Sequence, residues 1–291
     1  MSASPPARPV PGAAVPLTTA PTRRPRPGWV TAVGFWVADW WADALKTLHF
    51  IGETLLAVLR LLRGQARGMR WSDLFLQIDR AGPRSVLIVS LVSGLVGVIL
   101  AYMGAVQLQR FGAQSYIADL VTIGAVREIA ALMTGIILSG RIGAAYAAQL
   151  GSMQANEEID ALRALGVDPI EHLVLPRVLA LLLVAPLLTA FAALMACLAG
   201  WLIAIAIFGI APIEYLFKSL QAPDLSDVLV GLLKGCVYCL LLGLSGCRQG
   251  LNAGRSAQAV GESVTAAVVQ SIVWIVAAAS AMTVAAQRLG W

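Results

Sequence analysis

The stretch SVLIVSLVSGLVGVILAYMGAV, residues 85–106, contains no charged side chain. A helix needs about 20 consecutive apolar residues to cross the hydrocarbon core of a bilayer, so this stretch is long enough. The whole chain shares the bias, since 58% of its 291 residues are hydrophobic and 13% are charged, against about 25% charged in a typical soluble domain. Its mean hydropathy is +0.78. These values predict an integral membrane protein.

Four further apolar segments follow, and together they predict an all-α membrane protein with five transmembrane helices. The expected spans are 85–106, 126–150, 173–208, 228–247 and 264–286. The third is too long for one perpendicular crossing, and Pro176 and Pro186 permit a bent or tilted helix there. Two short spans in its place would reverse the topology of the C-terminal part, and the sequence leaves this alternative open.

The segment before the first span has two parts. Residues 1–28 are rich in proline and arginine, which is typical of a disordered tail. Residues 29–84 place apolar side chains at helical spacing with charged residues on the other faces, which favours amphipathic helices lying along the bilayer interface. Helices packed against the protein's own spans are an equally compatible interpretation. The transmembrane domain is then expected over residues 85–291.

Basic residues indicate the orientation of the spans. With five crossings, one side of the membrane carries Arg60, Arg63, Arg67, Arg70, Arg80, Arg84, Arg163, Arg177, Arg248 and Arg255. The other side carries only Arg110, Lys218 and Arg288. Cytoplasmic connections are enriched in arginine and lysine, so we expect a cytoplasmic N-terminus, a cytoplasmic 151–172 segment and an external C-terminus.

That cytoplasmic segment contains NEEIDALRALGVDP, residues 156–169. Asn156 is a good helix N-cap, acidic residues in the first turn suit the helix dipole, and Gly166 followed by Asp168-Pro169 is a stop signal. We predict a helix of about three turns over residues 156–166. Its apolar ridge, formed by Ile159, Leu162 and Leu165, would suit a groove on another protein. An ordinary loop helix tucked under the bundle is an equal alternative.

Three charged residues lie on the second predicted span. Arg141 costs at least a few kcal/mol within a membrane unless it faces a cavity or a partner, so we expect it to point inward. Arg127 and Glu128 stand at the predicted outer start of this span. They could pair with other helices or line a polar passage, and a headgroup-facing helix end is an equal alternative.

The sequence lacks the signature motifs of several classes of protein. The chain has no GxxxxGK[ST] loop, so it cannot bind nucleotide phosphates by that route. HExxH and GxSxG are also absent. The four cysteines lie in or beside apolar runs and the two histidines are far apart, which indicates neither a disulfide framework nor a metal site. The net charge of +5 comes partly from arginines flanking spans, so it does not predict nucleic-acid binding.

Residues 139–189, SGRIGAAYAAQLGSMQANEEIDALRALGVDPIEHLVLPRVLALLLVAPLLT, closely resemble the core of MlaE/YrbE-type permeases. That family has an AGR-G-A-AAE-GTM pattern, then E-IDAL, MG-DP and LV-PRVLA, with a proline in the next span. The likeness extends upstream through RAGPRSVLIVSLVSGLVGVILA and the VRE of residues 126–128, and more loosely downstream through AVGESVTAAVVQSIV. It covers about residues 71–286.

The resemblance implies a permease subunit of an ABC-type lipid transporter in the bacterial inner membrane. It implies a second permease chain, expected as a homodimer, around a lipid-holding cavity, a cytoplasmic ABC ATPase below, an MCE-domain protein on the periplasmic side, and allows for a small STAS-domain subunit. ATP would be used by the partner, so the chain itself is expected to be no enzyme and to need no cofactor. The cargo would be lipid, with phospholipid as the first expectation.

Motif positions carry the family's expected roles onto this chain. The segment 156–166 would be the coupling helix that the ATPase moves, through Glu157, Glu158, Asp160, Leu162, Arg163 and Asp168. Arg127, Glu128 and Arg141 would belong to the lipid cavity or polar pathway. Two departures stand out, because REIAA replaces the family's RELGP after residue 126 and GESVTAAVV replaces its basic GRATTRAVV. The second puts Glu262 and Ala266 where the family has arginines.

Two other classes of function are compatible with the residues alone. A transporter or channel driven by an ion gradient would use Arg127, Glu128 and Arg141 as its polar pathway. A membrane scaffold would only hold an MCE assembly in place. Direction of transport and the identity of the lipid do not follow from the sequence.

Overall fold

The computed structural model of the protein describes residues 29–64, 70–113 and 116–290. By its contacts the chain divides into a short unit ending at Lys46 and a main unit from Thr47 onward. The described part of the short unit is helical, whereas the main unit is a helical bundle. The tail predicted at residues 1–28 lies outside the described residues.

Every regular element in the described ranges is a helix, and none is a strand. The α-helices are α1 (Trp29–Leu62), α2 (Trp71–Ala81), α3 (Pro83–Arg110), α4 (Ile117–Gly124), α5 (Ala130–Leu138), α6 (Ala144–Ala155), α7 (Glu158–Ala164), α8 (Leu175–Phe208), α9 (Pro212–Gln221), α10 (Leu225–Leu251) and α11 (Ala257–Arg288). Short π-helical turns at Ala125–Ile129 and Ser139–Gly143 join α4, α5 and α6, and a third at Ile170–Val174 leads into α8.

Five helical segments of the described chain are long and apolar enough to cross a membrane, which confirms the predicted fold class. They are Trp71–Arg110, Ile117–Ala155, Ile170–Phe208, Leu225–Leu251 and Ala257–Arg288. We call the end of the bundle where α6 gives way to α7 the α7 end. The opposite end, where α8 leads through α9 into α10, is the α9 end.

The third span is one continuous helix. Helix α8 has 34 residues, which corresponds to about 50 Å, and it contains Pro186 without interruption. A proline is tolerated inside a membrane helix because neighbouring helices and small geometric adjustments satisfy the freed backbone groups. The alternative of two short spans is therefore wrong. The helix is longer than the roughly 30 Å hydrocarbon core, so it must tilt or project beyond it.

The second span begins nine residues before the predicted start, at Ile117 rather than residue 126. The sequence pattern placed the boundary at Arg127 and Glu128 because charged residues seldom lie inside a span. In the structure both side chains pair with residues of neighbouring helices, so the helix continues through them. The helix also runs to Ala155, five residues past the predicted end.

Glycines allow the spans to touch backbone to backbone. A Cβ atom on Gly97 of α3 would lie 2.3 Å from the Ala196 carbonyl oxygen of α8. One on Gly246 of α10 would lie 2.7 Å from the Gly143 carbonyl oxygen. Contacts this close require the absence of a side chain, and they are the usual way in which membrane helices pack without a hydrophobic driving force.

Helices α1 and α2 pack against the bundle with one face. In the part of α1 after Thr47, Thr54 and Ala57 are buried and Arg60 pairs with Glu171 at 3.0 Å. On α2, Leu74 and Ala81 are buried. The opposite faces of both helices expose large apolar side chains, including Leu55, Leu62, Trp71 and Phe75. The first face fits packing against the protein's own spans, and placement of the second face at the bilayer interface stays a prediction.

Candidate functional site

A π-helical turn at Ala125–Ile129 presents two adjacent charged side chains toward α10. Such turns carry one extra residue within a helix and are frequent at functional sites. Helix α10 reaches the turn through Gly231, where a Cβ atom would lie 2.0 Å from the Val126 carbonyl oxygen. The backbone contact thus sets Arg127 and Glu128 directly against the first turns of α10.

Arg127 forms an ion pair with Asp227 of α10. The Arg127 Nη1 atom lies 2.7 Å from Asp227 Oδ1, and the side chains are 22% and 11% exposed. The other carboxylate oxygen, Oδ2, accepts the backbone N–H of Asp224 at 3.2 Å. Asp227 therefore stabilises the start of α10 and neutralises Arg127 at the same time.

Glu128 forms a second ion pair, with Lys234 of α10. The Lys234 side chain is completely buried, whereas Glu128 is 36% exposed. The ammonium donates to Glu128 Oε1 and to Thr283 Oγ1 of α11, the latter at 3.0 Å. The Thr283 hydroxyl lies 3.1 and 3.2 Å from the two Glu128 carboxylate oxygens. A buried charge needs this combination of a counter-charge and further hydrogen bonds.

We call these five residues, Arg127, Glu128, Asp227, Lys234 and Thr283, the ionic cluster. The cluster joins the second, fourth and fifth spans in the half of the bundle nearer the α9 end. Each cation has a carboxylate partner, so a polar site exists within an apolar bundle without a bare charge. A partly exposed carboxylate and a partly exposed guanidinium at its surface could bind a zwitterionic or anionic headgroup.

Sequence reasoning identified two members of the cluster and missed three. Lys234 carried a usable signal, because it is the one charged residue in the apolar run VGLLKGCVYCLLLGL and an ionisable residue within a span is a functional candidate by default. Asp227 could be read only as a capping residue at a helix start. Thr283 gave no signal, since hydroxyl side chains are common on membrane helices.

Arg141 does not belong to the cluster. It is exposed in the single chain and donates to the backbone carbonyl of Arg84 in the first turn of α3. It is 13 residues from Glu128 on the same span, or about 20 Å along the axis. The expectation that Arg141 points inward is wrong, because a carbonyl at the helix surface satisfies its guanidinium instead.

The predicted coupling helix is shorter than expected. Helix α7 has seven residues, Glu158–Ala164, which is two turns rather than three. Asn156 is not its N-cap, because the Asn156 N–H still bonds the Ser152 carbonyl at the end of α6. Glu157 forms the bend between α6 and α7 with a left-handed backbone, at φ +61°. This conformation is unfavourable for glutamate, so the surrounding structure must hold it in place.

The predicted stop signal ends the helix as its residues suggest. Gly166 adopts φ +74° and the Val167 N–H bonds the Leu162 carbonyl at 3.0 Å, which is a typical helix C-terminus. The Asp168 carboxylate accepts the Ile170 N–H at 2.9 Å and begins the next turn. The connection into α8 is therefore short and well satisfied.

The predicted apolar ridge on α7 is wrong. Ile159 is fully buried in the bundle's own core and Leu162 is partly buried against it, whereas Leu165 is 78% exposed. Helix α7 is seated on the bundle, as the alternative interpretation held. What it offers a partner is Leu165 together with exposed charged side chains such as Glu158 and Arg163.

Two acidic residues, one directly before α7 and one within it, are tied to the connection between α10 and α11. Arg255 in that connection lies 3.0 Å from Glu157 Oε1 and 3.0 Å from Asp160 Oδ2. Arg163 lies 3.2 Å from the other oxygen of Asp160. Glu157 and Asp160, predicted as direct contacts for another protein, thus hold α7 to the helices that carry Asp227, Lys234 and Thr283. No local pattern points to Arg255, because it lies about 95 residues away from Asp160 along the chain.

The helices and the ionic cluster define a multi-pass, all-α membrane protein with charged groups paired inside its apolar bundle. The family model described as Permease MlaE matches residues 74–285, and the chain belongs to the MlaE permease family. The matched range contains the whole ionic cluster, α7 and Arg255. The resemblance found in the sequence is thereby confirmed.

Individual relatives agree with the family. A probable ABC transporter permease protein of Rickettsia typhi is 34% identical over 119 residues, covering 41% of this chain and 46% of that protein. One from Synechocystis is 37% identical over 119 residues, covering 41% and 45%. The chloroplastic protein TRIGALACTOSYLDIACYLGLYCEROL 1 of Arabidopsis thaliana is 33% identical over 218 residues, covering 75% and 61%. The chain thus spans about half the length of the first relatives and somewhat more of the third.

Proposed function

We propose that this chain is the permease subunit of an ABC-type lipid transporter in the bacterial inner membrane, with the α7 end facing the cytoplasm. A separate cytoplasmic ATPase docks at the α7 end and hydrolyses ATP. An MCE-domain protein receives or delivers lipid at the α9 end, and a second copy of the permease completes the lipid cavity. The permease itself makes and breaks no covalent bond.

One observation carries this proposal: α7 and the ionic cluster are attached to the same two helices. Arg255 ties α7 to the connection between α10 and α11. The other ends of those helices carry Lys234 and Thr283, which hold Glu128 of the second span. A displacement of α7 by an ATPase would therefore move α10 and α11 and change the spacing of the cluster, which is how a cytoplasmic stroke could open or close a headgroup site.

The cluster also suits an amphiphilic cargo. Arg127 and Glu128 are partly exposed, whereas the surrounding spans are apolar. A lipid headgroup could therefore bind the charged side chains while its acyl chains contact the apolar spans. The Arabidopsis relative is named for a diacylglycerol lipid, which supports lipid as the cargo class. Phospholipid remains our first expectation for this chain.

The test begins with purification of the chain from its native membrane, as wild type and as Glu157→Lys/Asp160→Lys, with mass spectrometry of the proteins that accompany it. We expect an ABC ATPase and an MCE protein with the wild type. The purified complex, placed in liposomes that contain a fluorescent phospholipid, should move that lipid to an acceptor only when ATP is added. Loss of the ATPase alone from the variant would support α7 as its docking site.

A gradient-driven transporter is the second candidate, and the Lys234–Glu128 pair favours it because ionisable residues within spans often mark ion pathways. The same liposomes distinguish the two readings. Lipid movement that needs a pH gradient and continues without any ATPase would replace the ABC proposal. An intact complex that moves no lipid under either condition would favour the hypothesis that the chain is a membrane scaffold.

Arg255→Ala should uncouple ATP hydrolysis from lipid movement. The two ion pairs of Arg255 are largely exposed, so their loss should change the free energy of unfolding by less than about 1 kcal/mol. Helix α7 would nevertheless lose its ionic attachment to the connection between α10 and α11, while Ile159 keeps it packed on the bundle. We expect ATPase activity of the complex close to wild type and lipid transfer lowered several-fold, both measured on the same liposomes.

Two variants control this experiment. Arg110→Ala removes an exposed arginine at the α9 end and should leave both activities unchanged. The exchange Arg255→Asp/Asp160→Arg restores an opposite-charge pair and should recover part of the lipid transfer. Equal losses of hydrolysis and transfer in Arg255→Ala, or no recovery in the exchange, would contradict a coupling role.

A further inference from the structure

A slot of about 470 Å³ lies on the outside of the bundle near the α9 end. One face of α8, from Thr189 to Trp201, forms its long wall. Residues of α9 and α10 form the other wall, and Thr122 and Val126 of the second span form part of its lining. We call this cavity the α8–α9 slot. No residue of the ionic cluster lines it, although Val126 is adjacent to Arg127 in the chain.

The inner surface of the slot is hydrocarbon. Its lining includes four residues with hydroxyl groups, Thr122, Thr189, Tyr215 and Ser219, but all four oxygen atoms are buried away from the surface. Burial raises the pKa of the Tyr215 phenol, which the neighbouring Ser219 hydroxyl partly opposes, so this group stays neutral within the wall. A ligand in the slot therefore meets apolar atoms, and a charged or strongly polar group would be desolvated there without compensation.

The slot opens toward the surface that faces lipid. Leu194 and Leu198 of α8 are 52% and 46% exposed, and Leu220 of α9 is 72% exposed. These three leucines all line the slot. A hydrocarbon chain could therefore enter sideways from the bilayer, without passing through the protein.

Its dimensions match one acyl chain. Thr189 and Trp201 are twelve residues apart on one helix, so the slot is about 18 Å long. One leaflet contributes about 15 Å of hydrocarbon, half of the roughly 30 Å core. The volume of the slot is within the usual range of about 300–1,000 Å³ for small-ligand sites.

We propose that the α8–α9 slot binds one acyl chain of a membrane lipid from the leaflet at the α9 end. Trp201 lies at its outer end, where the indole N–H donates to the Pro212 carbonyl at 3.2 Å, so the headgroup would project past this tryptophan toward water. The slot is separate from the ionic cluster, and it would hold a chain whether or not the protein transports lipid. Failure of the proposed function would leave this site intact.

The test is photochemical labelling of the full-length protein in lipid nanodiscs. The nanodiscs contain phosphatidylethanolamine and phosphatidylglycerol with a small fraction of phosphatidylcholine that carries a diazirine on one acyl chain. Labelled residues are located by mass spectrometry. We expect labelling of Ala193, Cys197 and Leu232 in the slot to exceed that of Leu91 and Leu95, which are exposed on α3 outside it.

Filling the slot should remove the excess labelling. Ala193→Trp places an indole in the slot, and Ala206→Trp places one on an exposed position of α8 outside it as the matched control. We expect several-fold less labelling of Cys197 and Leu232 in the first variant and no change in the second. Ala190→Trp, at an exposed edge of the slot, serves if Ala193→Trp does not fold.

Two results would overturn the proposal. Equal labelling of the slot and of exposed leucines on α3, with no effect of Ala193→Trp, would mean that the slot only touches passing lipid. If slot labelling is present in the isolated chain but is replaced by cross-links to a protein in the complex, the slot is a docking groove for that protein.

Discussion

Glu128→Gln is expected to destabilise the folded chain by about 3 kcal/mol, at the lower end of the 3–5 kcal/mol typical for breaking a buried ion pair. The substitution leaves the fully buried Lys234 ammonium with Thr283 as a partner but without its counter-charge. For a chain of this size, that loss corresponds to a melting temperature lower by roughly 6–12 °C. Thermal unfolding of the purified protein in one detergent, compared with wild type, measures it.

The reverse substitution should cost less. Lys234→Met strands Glu128, which is 36% exposed and can be partly hydrated. The double variant Glu128→Gln/Lys234→Met removes both charges and should recover most of the stability, while lipid transfer stays lost if the cluster binds the headgroup. If the two single variants are equally destabilised and their effects add in the double variant, the pair is not coupled as the structure indicates.

Gly231→Ala is expected to give the second large effect. The new Cβ atom would lie 2.0 Å from the Val126 carbonyl oxygen, so α10 must move away from the π-helical turn. Overpacking of this kind costs about 1–3 kcal/mol and occasionally more. Because the turn carries Arg127 and Glu128, the displacement should also lengthen both ion pairs. Unfolding temperature and ATP-driven lipid transfer should therefore fall together.

Gly261→Ala is the matched control, because Gly261 is also within a helix but has no atom within 4 Å of the position of a new Cβ. Alanine has the higher helix propensity, so this variant should be as stable as wild type or more stable by up to about 1 kcal/mol. Normal stability and transfer in Gly231→Ala would show that α10 and the turn are not in backbone contact.

Long apolar runs predict that the spans exist, whereas charged residues near a span make its first and last residues hard to predict. Residues 85–106 and 264–286 contain no charged side chain, and helices α3 (Pro83–Arg110) and α11 (Ala257–Arg288) extend two to seven residues past each predicted boundary. The boundary at residue 126 was wrong, because Arg127 and Glu128 look like the end of a span until their partners on α10 are known.

In the predicted coupling helix, too, local features could be predicted from the sequence, whereas features set by tertiary packing could not. Gly166 ended the helix as predicted, because its left-handed backbone is a local property. Asn156 and the apolar ridge were misjudged, because burial of Ile159 and the bend at Glu157 depend on where α6 meets the bundle. A helix of seven residues has no periodic pattern long enough to fix its buried face.

The sequence by itself determined that this protein is an all-α membrane protein with five spans, and its motifs placed it in the MlaE permease family. Those features depend on local hydrophobicity and on residues close together along the chain. Only the tertiary structure decided the pairing of Arg127 with Asp227, of Glu128 with Lys234, and of Arg255 with α7. Such pairs join positions about 95 to 106 residues apart, and which residues meet is set by how helices pack at their glycines, a property that no local pattern contains.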